Sequence, residues 1–235
     1  MDPSRPTGQP LSQNTMLLTA FSDTILVPFS LFIIVSYHAY LWHNFKHRPS
    51  FTTLGVNTQR RRLWFQDMEM GDDKKGMLAV QSLRNTLMGA ILTATVSILI
   101  NISLAALANN SYSASHLLNS SSFFGSQSSK LLVLKFGSTC LVLMISFLCS
   151  SMAVCTLIDA NMLINAAGEF ASSAGYVQMI FERGFMLSVV GNRVFCMAFP
   201  LLFWLFGPVT VLVSSAVMVW GLYELDFCRP IHKIK

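Results

Sequence analysis

Four long stretches free of Asp, Glu, Lys and Arg set the pattern of this chain: residues 24–42, 86–108, 136–158 and 194–220. At 1.5 Å rise per residue, each is long enough to cross the roughly 30 Å hydrocarbon core of a bilayer as a helix. The segments between them are polar. The pattern predicts an all-α membrane protein, a bundle of four transmembrane helices with short interfacial helices in the cytosolic loops. Three regions follow: residues 1–22 as a disordered tail carrying Pro3, Pro6, Gly8 and Pro10, residues 23–227 as the membrane domain, and 228–235 as a short polar tail. The first run is too long for the apolar core of a cleaved signal and reads as a retained signal anchor.

Composition agrees with that reading. Hydrophobic residues make up 53% of the chain and charged residues 11%, against about 25% charged in soluble domains. The formal charge of +5 does not point to nucleic acid, because the basic residues gather beside the membrane. Lys46, Arg48, Arg60, Arg61, Arg62, Lys74, Lys75 and Arg84 all lie between the first two runs. The positive-inside bias places that loop, and the one holding Arg183 and Arg193, in the cytosol, with both termini non-cytosolic. The basic C-terminal tail opposes this arrangement. The serine-rich, uncharged loop 111–129 then faces outward, and Asn119-Ser120-Ser121 is its better glycosylation sequon. Plasma membrane and endomembrane both fit.

The first cytosolic loop mixes Arg60-Arg61-Arg62 with Leu63-Trp64-Phe65. Basic and aromatic residues together suit a short helix on the inner leaflet that meets anionic lipid headgroups. Span two is the most patterned helix. Ala90, Ala94, Ser97, Asn101, Ala105 and Ala108 recur at spacings of four and three, so small side chains share one face. Small residues let membrane helices approach closely, and that face is expected to pack into the bundle with the Asn101 amide as interhelical glue. Pro200, Gly207 and Pro208 fall inside the fourth run, where a kink or unwound turn is expected. The loop from 159 to 193 reads as two weak surface helices, since Glu169, Glu182 and Arg183 argue against crossing.

Candidate chemistry is sparse. Gln81, Arg84 and Asn85 share a helix face at i, i+3 and i+4. With His38, Arg61 and Arg193 they form a candidate inner polar cluster for a lipid headgroup or small anion, arginine offering a two-pronged fork. The plainer alternative is that Arg84 snorkels and the others pin the loop. His43 and His47 have metal-compatible spacing but no third ligand in reach, and Cys140, Cys149, Cys155, Cys196 and Cys228 lack zinc or disulfide spacing. No metal, cofactor or catalytic residue is expected. Phosphate-loop, nucleophile-elbow, dinucleotide and zincin motifs are absent from the sequence.

Several strings carry a resemblance. They are Tyr37-His38, then Pro49, Thr53, Gly55, Arg61 and Trp64, the run Leu78-Ala79-Val80-Gln81-Ser82-Leu83-Arg84-Asn85, Gly191-Asn192-Arg193, the stretch from Phe199 to Pro208, and Leu222-Tyr223-Glu224-Leu225-Asp226. Over roughly 26–226 the chain resembles the plant integral-membrane family catalogued as domain of unknown function 599. The resemblance implies a four-helix membrane protein and no activity. Two functions stay open: a non-catalytic scaffold or signalling component acting through lipids and membrane partners, a homo-oligomer among them, or a small channel or transporter using Asn101 and the broken fourth span.

Overall fold

A computed structural model describes residues 10–68, 73–115, 129–165 and 174–227. These form six α-helices: α1 (Pro10–His47), α2 (Thr53–Met68), α3 (Asp73–Ser115), α4 (Ser129–Asn165), α5 (Ala174–Phe203) and α6 (Pro208–Asp226). A 3-10 turn, Pro49–Phe51, joins α1 to α2. No strand occurs among the described residues. The backbone of α1 begins at Pro10, inside the segment read as a tail.

Among the described residues, five helices, not four, are long and apolar enough to cross a membrane: Thr24–His47, Val80–Asn110, Leu132–Ile164, Gly175–Phe203 and Pro208–Asp226. The protein is a multi-pass membrane protein with one candidate span more than its apolar runs imply. The run 194–220 is not one span. It ends α5, turns at Trp204–Gly207 and opens α6. Gly207 sits at φ 146°, a conformation that side chains with a Cβ disfavour. Pro208 follows at the first helical position, where its missing N–H costs nothing. Gly207 and Pro208 therefore make a turn between two spans. Pro200 lies within α5.

Side-chain pairings fix the directions. Leu83 meets Leu157, and Leu104 meets Phe136, so α3 and α4 run antiparallel. Leu157 meets Phe181 and Leu143 meets Ala198, so α4 and α5 do the same. Val27 packs with Val211, while Tyr37 bonds Asp226 further along both helices, so α1 and α6 run parallel. The first helix thus pairs with the last, and α3, α4 and α5 form a three-helix body. With five candidate spans, the start of α1 and the end of α6 lie at opposite ends of the bundle. The end of α6 lies beside the first loop.

Small residues close the α4–α5 seam. A Cβ on Gly184 would come within 2.7 Å of Thr156 Oγ1, and one on Gly191 would strike Ser150. Ser146 donates to the Gly191 carbonyl at 2.8 Å and lies 3.1 Å from the Ser97 hydroxyl, linking three helices.

Candidate functional site

Where α1, α5, α6 and the first loop meet, polar groups join all four. Thr52 is buried, and its hydroxyl oxygen accepts the Gly55 N–H at 3.1 Å, capping the start of α2. Its backbone forms an antiparallel bridge with Phe227, and the Thr53 hydroxyl donates to the Leu225 carbonyl at 2.9 Å. Gly55 rests on the backbone of Pro49, leaving no room for a side chain. The loop is therefore stitched to the end of α6.

Just inside this stitch lies an ion pair. Asp226 is 2% exposed. Its Oδ2 accepts from the Tyr37 hydroxyl at 2.5 Å and from Arg193 Nη1 at 2.8 Å, while Arg193 Nη2 donates to Oδ1. A buried carboxylate is tolerated because the guanidinium fork and the phenol satisfy both oxygens.

A second pair fastens α2 onto α5. Arg62 donates through Nε and Nη2 to the two Glu182 oxygens, each at 2.8 Å, and Gln178 donates to Glu182 at 2.9 Å. The carboxylate holds the Arg62 guanidinium above its ordinary range. Beside it, the Arg61 guanidinium lies 3.6 Å from the Phe185 ring centre and 5.6 Å from that of Phe181. Burial pulls Arg61 below its ordinary range. Its Nη1 is buried without a hydrogen-bond partner among the described residues.

His38 adds another open group. Its Nδ1 lies 2.8 Å from the Ile34 carbonyl, which only accepts, so Nδ1 carries a hydrogen. Nε2 is buried without a partner among the described residues. His38 Nε2 and Arg61 Nη1 are thus the ring and guanidinium atoms left to meet a polar ligand.

The structure does not assemble the six-residue cluster. Gln81, Arg84 and Asn85 are exposed, on the side of α3 away from buried Leu83. Arg193 is committed to Asp226 rather than facing a ligand. Along the small-residue face, Ala90, Ala94 and Ser97 are buried, and Asn101 donates to the Cys140 carbonyl at 3.0 Å. Ala108 packs partly against the Leu104–Phe136 core, but Ala105 is exposed and Leu104 is buried in its place. Asn119 lies outside the described residues. His43 and His47 stack with ring centres 4.3 Å apart, and no group of three metal-ligating side chains occurs among the described residues.

Residue spacing did not find Tyr37, Asp226, Gln178 or Glu182 as site members. For the two acids the signal is indirect: Asp226 stands just past an apolar run and Glu182 inside a weakly apolar helix, and an acid at such a place demands a partner elsewhere.

A family model described as "Protein of unknown function, DUF599" matches residues 25–231. No curated protein and no solved structure matches the chain.

Proposed function

From the premise that this chain belongs to the DUF599 family of proteins of unknown function, we propose that it is a non-catalytic membrane scaffold whose α2 face holds anionic lipid headgroups and partner proteins at the cytosolic surface. One observation carries the reading: Arg61 is clamped on Phe185 with a buried N–H donor left open, on a helix that Arg62 anchors. A guanidinium so held is preorganised for a phosphate or carboxylate oxygen. The orientation follows the same logic. With five crossings, the first loop, Arg183 and the end of α6 share one side. The basic C-terminal residues then agree with the positive-inside bias instead of opposing it, and the start of α1 is non-cytosolic.

The test is binding of nanodisc-embedded protein to phosphatidylserine-containing membranes against neutral ones. Arg61→Gln is expected to lower headgroup affinity about tenfold, the loss of one charged hydrogen bond. Equal lipid preference in Arg61→Gln and the parent would overturn the proposal.

A second reading, a small oligomeric channel or transporter, draws on the hydroxyls that Ser97, Ser146 and Ser150 bring together within the spans. Reconstituted flux that Asn101→Leu abolishes would favour it. Asn101's bond to the Cys140 carbonyl favours packing instead.

A further inference from the structure

We infer that Glu182 is a built-in competitor at the headgroup site: its carboxylate occupies the Arg62 fork, and an incoming phosphate or carboxylate oxyanion displaces it. This inference rests on the headgroup reading of Arg61 and adds how access to that site is regulated.

α2 is fastened in two different ways. Its start is held by backbone: Thr52 bridges Phe227, the Thr53 hydroxyl donates to the Leu225 carbonyl, and Gly55 rests on Pro49. Further along, attachment thins. Thr58 is buried, but its hydroxyl donates to the Leu54 carbonyl of the same helix at 2.8 Å. Gln59, Arg60, Arg62 and Leu63 are exposed, and no apolar side chain of α2 is buried among the described residues. What ties this part of α2 to α5 is the Arg61 contact with its two rings and the Arg62–Glu182 pair.

The geometry of that pair is the geometry of anion recognition. Nε and Nη2 of Arg62 each lie 2.8 Å from a Glu182 oxygen, side by side. A guanidinium takes a phosphate or a carboxylate in this same two-pronged way, so the fork is closed to a second oxyanion while Glu182 holds it. The receiver is fixed and the arm is free to leave. Gln178, one turn earlier on α5, donates to Glu182 Oε1 at 2.9 Å and steadies the carboxylate without Arg62. The Arg62 side chain is 57% exposed against 23% for Glu182. An exposed ion pair shifts an equilibrium by at most about fivefold, which a headgroup can match.

The neighbour supplies the reason for exchange. Phe185, under Arg61, stands three residues from Glu182 on one face of α5. Arg61 Nη1 is buried and has no partner among the described residues, so an oxyanion reaches it only when an adjoining contact gives way. The exposed Arg62–Glu182 pair, one residue along α2, is that contact. A phosphodiester with a carboxylate beside it, as in phosphatidylserine, offers acceptors to both arginines at once.

The experiment titrates short-chain phosphatidylserine into full-length protein in phosphatidylcholine nanodiscs and reads affinity together with hydrogen exchange in α2. Glu182→Gln removes the competing charge and should bind up to about fivefold more tightly. Its α2 should exchange faster beyond Thr58 before any phosphatidylserine is added. In the parent, phosphatidylserine should speed that exchange, because Arg62 leaves Glu182. Adding Arg62→Gln to Glu182→Gln should abolish the gain in affinity. Glu182→Ala serves as a second variant, since it leaves no acceptor at this position. Inorganic phosphate titrated in the same way separates the sources: faster exchange with phosphate supports competition by a free anion, and with phosphatidylserine alone, competition by a lipid headgroup. Parent affinity in both Glu182 variants, with Arg61→Gln still weakening binding, would overturn the competitor role and leave the headgroup reading standing. A gain that survives Arg62→Gln would also overturn it, because Glu182 would then act by repulsion alone. If Arg61→Gln has no effect either, the headgroup reading fails and this inference fails with it.

Discussion

Asp226, buried at the end of α6, receives three hydrogen bonds from α1 and α5. The seam between α3, α4 and α5 closes instead on Gly184, Gly191 and neutral hydroxyls. Both join helices within the spans, but by opposite chemistry. The seam gains from many close backbone contacts, each small. The junction concentrates its attachment in one carboxylate. A distributed seam tolerates single losses, whereas a concentrated junction fails when one partner is removed. The contrast also accounts for the shape: α1 and α6 are fastened at the α2 end, and the other end of α1 stands off from α4.

Removing one member of the junction should therefore do the most damage. Arg193→Met leaves the Asp226 carboxylate buried and unpaired, with an expected loss of about 3–5 kcal/mol in unfolding measured in detergent. The double variant Arg193→Met with Asp226→Leu should recover a large part of that loss. If the two variants unfold alike, the charge is not what holds the junction of α5 and α6. Next comes Gly191→Val, which drives a side chain into Ser150 and should cost about 1–3 kcal/mol by overpacking. Ser146→Ala tests the distributed character of the seam. Interhelical hydrogen bonds in membranes average about 0.6 kcal/mol, and a loss well above 2 kcal/mol would show that the seam too depends on one residue. Smallest is Arg62→Ala. An exposed ion pair is worth about 0–1 kcal/mol, so global stability should barely move while hydrogen exchange in α2 speeds up.

Three of the five crossings were legible as uncharged runs, because α1, α3 and α4 present continuous apolar surface to lipid. α5 was not. Glu169, Glu182 and Arg183 read as reasons for this segment to stay out of the bilayer, yet Glu182 meets its counter-charge, Arg62, from another part of the chain. Charge that is neutralised only in three dimensions is invisible to a window of consecutive residues. The same limit affected the site. Spacing showed that Gln81, Arg84 and Asn85 share a face, but not which way it looks; Leu83 takes the inward position and turns them out. Asn101 was legible because a lone amide in a stripe of small residues has little to bond except a neighbouring helix. Ala105 was misplaced because a regular 100° step carries the stripe onward, while the bulkier Leu104 takes the contact with Phe136.

The pairing of the first helix with the last has a consequence for biogenesis. When α1 leaves the ribosome, the helix carrying Asp226 is still roughly 180 residues away. At about 5–20 residues per second, that is a wait of roughly 10–40 s. Throughout it, the Tyr37 hydroxyl lies in or near the bilayer without its native acceptor. Premature termination just before Asp226 would leave Tyr37 and Arg193 without their shared acceptor, while the Val27–Val211 contact could still form; termination before α6 would remove both.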